Sequence, residues 1–170
     1  IWDMSTLGRA LNFARQVADG RPVVLGGQYA NIRFRQILAR HPDIHCILRG
    51  DAEQALPALL IAIRDHKDLH DIPNLVYPTA DGRVAATPRH EIRFEDWPAP
   101  RITGDRPAIP YESMRGCPFT CGFCSFPFAS PHWRYRTAER IARDWATYAE
   151  GNGTRLINAM DSTFTVPPRR

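Results

Sequence analysis

Leu7, Ala10, Leu11, Ala14 and Val17 recur three and four residues apart, which puts them on one face of a helix. At PVVLGG the pattern shifts to a short apolar run that predicts a buried strand stopping on two glycines. Phe34, Ile37 and Leu38 predict a second helix, His45 to Leu48 a second strand halted by Gly50, and Leu56, Leu59, Leu60 and Ile63 a third helix. Helix, strand, helix, strand, helix is the alternation of a parallel sheet with helices packed against it, so the fold class is α/β. Two strands are too few to cover the apolar faces of three helices, and the chain is expected to begin partway through a doubly wound domain.

Beyond residue 72 the pattern changes twice. NLVYPTADGRVAATP holds two short extended runs around Asp81-Gly82, a pair that favours a tight hairpin turn. Prolines at 88, 98, 100, 107 and 110 then interrupt a stretch without periodicity, which reads as an extended linker. Residues 109–114 predict another strand, and Ala138, Ile141, Ala142, Trp145, Tyr148 and Ala149 share a helical face that Gly151 and Gly153 end. TRLINAM follows as a further buried strand before Asp161. Strand, loop, helix, strand is the first unit of a repeating βα barrel, whose ligand loops lie at the C-terminal ends of its strands. The chain thus divides into residues 1–72, a hairpin and linker over 73–108, and a barrel-like region over 109–170.

Composition narrows the function classes. With 44% hydrophobic and 24% charged residues the chain reads as a soluble globular protein. Its longest apolar run, Leu56 to Ile63, is too short to span a bilayer. The N-terminus carries no basic segment followed by an apolar core, so a cytoplasmic protein is expected. The formal charge of +4 comes from 21 arginines and one lysine, Lys67. Those arginines are scattered along the chain instead of forming a block with interleaved aromatics, which argues against nucleic acid as a partner. Arg134 and Arg136 in HWRYR are the exception, close enough to the cysteines either to serve an anionic group or to face solvent.

Chemistry concentrates in RGCPFTCGFCSFP. Three of the four cysteines, Cys117, Cys121 and Cys124, occupy one short loop as C-x3-C-x2-C. Cys46 stands apart in an apolar run and is expected to be a small buried hydrophobe. Without an export signal, thiols so spaced point to metal or redox chemistry in place of a disulfide framework. Structural zinc prefers paired C-x2-C knuckles closed by a fourth Cys or His; no second knuckle exists here, and His132 is the residue that could supply that ligand. A four-iron, four-sulfur cluster suits three thiolates better, because each holds one corner and the fourth iron stays open to a small molecule.

This loop resembles that of the radical S-adenosylmethionine (SAM) enzymes, whose hallmark is C-x3-C-x2-C with an aromatic residue just before the third cysteine, here Phe123. The resemblance implies that the open iron chelates the amino and carboxylate groups of SAM. It also implies that an electron from the reduced cluster breaks a carbon–sulfur bond to give a 5′-deoxyadenosyl radical, and that Phe123 packs near the adenine. Asp161, in NAMDSTF, matches the position that helps hold the methionine end of the cofactor, without the family's glycine-glycine-glutamate form of that motif. The N-terminal half is similar to members of the family that carry a cobalamin-binding domain, with VVLGGQYA, LRGDAEQALPALL, DIPNLVY, FEDWPAP and the cysteine loop in the same order. By that likeness Gly26 and Gly27 let the backbone approach the nucleotide tail of cobalamin, where a side chain would collide. Gly50 and Glu53 match the glycine-acid-x-acid stretch of those proteins. Asp68-Leu-His70 does not match their histidine motif, because Pro73 stands where glycine belongs.

The resemblance implies the C-terminal part of a doubly wound, flavodoxin-like cobalamin-binding domain, followed by the first βα units of a radical SAM partial TIM barrel. It implies a 4Fe-4S cluster, SAM and cobalamin as cofactors, a small-molecule substrate, and an electron donor such as flavodoxin or ferredoxin. The implied reaction is methyl transfer to an unreactive carbon or phosphorus, provided the chain is part of a complete active site. Cyclisation, rearrangement or oxidation with the same cofactors is one alternative, and an inactive, truncated, metal-stapled binding module is another. The early strands of the first domain and most of the barrel are expected to lie outside these 170 residues.

Overall fold

The computed structural model describes residues 3–167. They form two compact units, one ending at Ile92 and the other beginning at Arg93. The first contains α1 (Met4–Val17), β1 (Val23–Leu25), α2 (Gln28–Arg40), β2 (Ile44–Leu48), α3 (Ala55–Arg64), β3 (Leu75–Pro78) and β4 (Val84–Ala86). Its four strands make one sheet in the order β1-β2-β3-β4, with β1 and β2 parallel and the β3–β4 hairpin added antiparallel.

A one-residue irregularity decides which side chains face which helices. Val23 lies opposite Ile44 but Val24 lies opposite Cys46, so His45 is the extra residue of a bulge and is exposed. Ile44 and Ile47 therefore pack with Leu7 and Leu11 of α1 and Ile37 and Leu38 of α2. Cys46 and Leu48 pack with Ala55, Leu59 and Ala62 of α3. Apolar cover on both faces explains why β2 reads as a nearly continuous hydrophobic run, and it makes the unit doubly wound, as the alternation of elements predicts.

The sequence sets the hairpin apart from the first region, whereas in the structure Val76 pairs with Ile47 and extends the same sheet. Its turn follows from Asp81-Gly82: Gly82 takes a φ of +76°, and Thr79 N–H donates to the Arg83 carbonyl at 2.8 Å. The segment after β4 is pinned by Asn74, a buried residue with a φ of +64°. Its Nδ2 donates to the carbonyls of Asp51 and His90, both at 2.7 Å, and its Oδ1 accepts from His90 N–H at 2.6 Å. Asp51, also buried, accepts from Ile92 N–H at 2.9 Å. Asn74→Ala is expected to cost about 3 kcal/mol, because three buried hydrogen bonds lose a partner at once. Urea unfolding followed by far-UV circular dichroism measures this. A loss below about 1 kcal/mol would show that water replaces the amide.

The second unit contains β5 (Ala108–Tyr111), β6 (Met114–Arg115), α4 (Phe126–Ala129), β7 (Arg134–Tyr135), α5 (Ala138–Asn152) and β8 (Leu156–Ala159). β5 and β8 pair in parallel from Ala108↔Leu156 to Tyr111↔Ala159, joined through α5. Thr137 caps α5 by accepting from Arg140 N–H, and Gly153 closes it in the left-handed conformation at φ +62°, so Gly151 lies inside the helix and not at its end. Ile109 and Tyr111 pack with Ile141 and Tyr148, and Ala99 and Ile102 from the proline-rich stretch pack on the same core. That stretch has no periodicity because it contributes single residues. Pro100 and Ile102 also offer carbonyls to Tyr148 Oη, at 2.6 Å, and Asn152 Nδ2, at 3.2 Å. No helix among the described residues is long and apolar enough to cross a membrane.

Candidate functional site

The cysteine loop leaves the C-terminal end of β5, the end at which parallel βα units present their ligands. Its first residues are held from the loop that follows β8. Asp161 accepts from the backbone N–H groups of Ser113 at 2.8 Å and Met114 at 3.1 Å, and from the Ser113 hydroxyl. Ser162 Oγ donates to the Gly116 carbonyl at 2.6 Å. Gly116 itself has a φ of +75°, and a Cβ there would lie 2.5 Å from the His132 carbonyl oxygen. The approach to Cys117 is therefore fixed on three sides by groups that leave no room for a side chain.

Beyond that anchor the loop is open. Cys124 N–H donates to the Cys121 carbonyl at 3.0 Å, closing a turn over the C-x2-C half of the motif. Cys121 is exposed, Cys117 and Cys124 are half-buried, and all three are free thiols. Among the described residues they are not gathered into a group that would hold a metal ion. As a donor set they fit a three-thiolate cluster: three sulfurs within eight residues, none in a disulfide, on a loop whose exposure leaves space beside it. Phe123 is 95% exposed and so does no core packing in this unit. Asp161 sits where the sequence places it, at the end of β8, but its carboxylate is engaged with the start of the cysteine loop.

Behind the loop lies an ionic network of which Arg136 alone stands out in the sequence. Arg136 is 2% exposed; its Nη1 donates to Asp144 Oδ2 at 3.1 Å, and its guanidinium lies 4.7 Å from the centre of the Phe94 ring. Asp144 also accepts from Arg140 Nε at 3.0 Å and from Tyr111 Oη at 2.7 Å. Arg136 is thus held in the core of the second unit by Asp144 and is not a solvent-facing arginine. The available signal was Arg140 and Asp144 four residues apart on the amphipathic helix, a spacing that puts them on one face; Arg136 precedes that helix and joins the pair only through the fold.

In the first unit, Gly26 and Gly27 form the turn from β1 into α2. Gly27 caps α2 at a φ of +99°, and a Cβ on Gly26 would sit 3.9 Å from the Leu48 carbonyl, so Gly27 is the more restricted of the two. Gly50, after β2, has a φ of +81°, and a Cβ there would come within 3.0 Å of Arg89 Nη2. Glu53 is half-buried three residues further on. These residues share the C-terminal edge of β1 and β2, the edge at which ligands bind in doubly wound sheets. His70 is exposed and paired with Asp68 and Asp71 at 3.2 and 3.0 Å.

Cys46 is fully buried in β2, and burial pushes its thiol pKa up to about 12. Alkylation of the folded, unreconstituted chain with a thiol reagent at pH 8 is therefore expected to modify Cys117, Cys121 and Cys124 and to reach Cys46 only after denaturation. Four equally fast thiols in the folded chain would contradict this.

No family model matches the chain. It is 35% identical over 152 residues to the anaerobic magnesium-protoporphyrin IX monomethyl ester cyclase of Rubrivivax gelatinosus, covering 78% of this chain and 26% of that protein. It is 24% identical over 179 residues to the cobalamin-dependent radical SAM methyltransferase TokK of Streptomyces tokunonensis, covering 95% and 26%. Its fold matches that of the radical SAM methyltransferase TsrM from Kitasatospora setae, solved with cobalamin and a [4Fe-4S] cluster bound. The TM-score is 0.73 at 18% identity, over 94% of this chain and 34% of that one. The chain spans between 25% and 37% of the length of the curated relatives it matches.

Proposed function

From the kinship of this chain with the cobalamin-dependent radical SAM enzymes, we propose that it is the cofactor-holding part of such an enzyme and that its reaction is methyl transfer to a small molecule. The observation that carries this reading is the C-x3-C-x2-C loop hung from the C-terminal end of β5 in a parallel βαβ unit. Cys117, Cys121 and Cys124 would hold a 4Fe-4S cluster, and the C-terminal edge of β1 and β2, with Gly26, Gly27, Gly50 and Glu53, would hold cobalamin. When bound, the cluster supplies single-electron cleavage of SAM, and cobalamin supplies a methyl carrier. The protein's own work is positional. Asp161, Ser162 and Gly116 fix where the loop begins, and the Cys121–Cys124 turn sets the spacing of two sulfurs. Phe123, exposed beside the third cysteine, offers a flat apolar face to an adenine. A reducing, cytoplasmic setting suits the free thiols, and an electron donor of the flavodoxin or ferredoxin type would serve the cluster.

Reconstitution with iron and sulfide under anaerobic conditions tests the reading. About four irons per chain and a brown chromophore are expected, both lost in Cys121→Ser. One zinc per chain with no uptake of iron would overturn it. Cyclisation is the second reading, favoured by the 35% identity to a cyclase. Methyl-labelled SAM separates the two in the full-length enzyme, since label reaches the product only in methyl transfer.

A further inference from the structure

The turn in the second half of the cysteine motif draws two of its three cysteines together. Cys124 N–H donates to the Cys121 carbonyl at 3.0 Å, with Gly122 and Phe123 as the residues between them. A turn of this kind holds its end Cα atoms within about 7 Å, which overlaps the roughly 4.4–6.8 Å that a disulfide spans. Cys117 belongs instead to the anchored start of the loop. It follows Gly116, whose carbonyl accepts from Ser162 Oγ at 2.6 Å and whose backbone lies against that of His132. Exposed residues Pro118, Phe119 and Thr120 separate it from Cys121, and the three cysteines are not gathered into one group among the described residues.

Exposure sets the order of events at the turn. Cys121 is exposed and Cys124 half-buried, so an oxidant meets Cys121 first. Phe123 is 95% exposed and a Cβ on Gly122 would meet nothing within 4 Å, so no core packing resists a small tightening of the turn. We infer that, before a cluster is loaded, Cys121 and Cys124 form a redox pair that thiol–disulfide exchange opens and closes, with Cys117 left as a thiol. With glutathione disulfide as oxidant, the Cys121 thiolate attacks one of its sulfurs, forming a mixed disulfide and releasing one glutathione. The Cys124 thiolate then attacks the Cys121 sulfur and displaces the second glutathione. The two cysteines lose two electrons and two protons, and glutathione disulfide takes up both to become two glutathione thiols. Cys46 takes no part, being buried in β2. Resting on the cluster reading above, the closed pair leaves one thiolate where three are needed, so it gates cluster loading.

The unreconstituted chain is incubated with glutathione disulfide in the absence of oxygen, its remaining thiols are alkylated, and it is cleaved with trypsin and chymotrypsin. Cuts after Arg115, Phe119 and Phe123 place the three cysteines on separate peptides. Mass spectrometry is expected to find Cys121 linked to Cys124 at about tenfold the yield of either disulfide that includes Cys117, which carries the alkyl group. Cys124→Ser should stop at the glutathione adduct on Cys121. The oxidised chain should take up about tenfold less iron than the reduced chain, and dithiothreitol should restore the uptake. Equal yields of the three possible disulfides, or glutathione adducts alone, would overturn the pair. Full iron uptake by the oxidised chain would overturn the gate. If the reduced chain binds no iron, the cluster reading and the gate fall together, while the peptide map still decides the pair.

Discussion

Alanine at position 116 is expected to cost the second unit about 4 kcal/mol and to prevent the cysteine loop from taking up iron. Two terms add. A φ of +75° costs a side chain about 1–2 kcal/mol, and a Cβ 2.5 Å from the His132 carbonyl oxygen forces backbone to move, costing about 1–3 kcal/mol more. The clash is with main chain, so no rotamer change relieves it. What moves is the start of the loop, where Ser162 and Asp161 hold residues 113–116. Three of the four tryptophans, Trp97, Trp133 and Trp145, lie in the second unit, so urea unfolding monitored by tryptophan fluorescence reports on it. Gly122→Ala is the control, since a Cβ there meets nothing within 4 Å. If Gly116→Ala and Gly122→Ala unfold at the same urea concentration and bind equal iron, the loop is not anchored as described.

How much of this was legible in the sequence follows from the range of each signal. The helical face of α5 and the apolar runs of β1, β2 and β5 are local, and a period of 3.6 or a short hydrophobic run is enough to read them; TRLINAM predicts a buried strand, whereas in β8 only Ile157 is even half-buried. The cysteine motif is local too, and its spacing points to metal or redox chemistry, which the resemblance to the radical SAM loop narrows to a cluster. Gly116 was visible as a letter but not as a constraint, because the atom that excludes a side chain belongs to His132, sixteen residues away. Asp161 reads as a strand-end carboxylate; only the three-dimensional pairing with Ser113 and Met114 shows that it ties two loops together. The proline-rich stretch read as a linker for the same reason: its contacts are made by isolated residues and carbonyl groups, which leave no periodic mark. The hairpin is half legible, since Asp81-Gly82 announces the turn and nothing in the local pattern says that Val76 will join Ile47.

The bulge at His45 is the clearest case of a long-range rule overriding a local one. Strict alternation would set Ile44 and Cys46 on one face, yet they belong to different cores. One unpaired residue moves the second half of β2 by one position. The strand can then feed both layers with four buried side chains out of five.

Asp144→Ala is expected to destabilise the second unit by about 4 kcal/mol, since it leaves the buried guanidinium of Arg136 without its carboxylate. Arg140 and the Tyr111 hydroxyl lose the same acceptor, so the loss is shared by three groups around one atom pair. Arg136→Met in the same chain should recover part of the loss, because a methionine needs no counter-charge while still covering Phe94. A double-mutant cycle that returns simple additivity would show that the pair is not coupled. The network also sets a pH dependence. Burial, and then the hydrogen bond to Asp144, raises the pKa of Tyr111 above its ordinary value. The fold therefore favours the protonated phenol. Its contribution is fully present below about pH 10, the unfolded value, and declines as pH rises beyond it. Tyr111→Phe should flatten that alkaline decline in urea midpoints between pH 8 and pH 11; an unchanged slope would place its origin elsewhere in the chain.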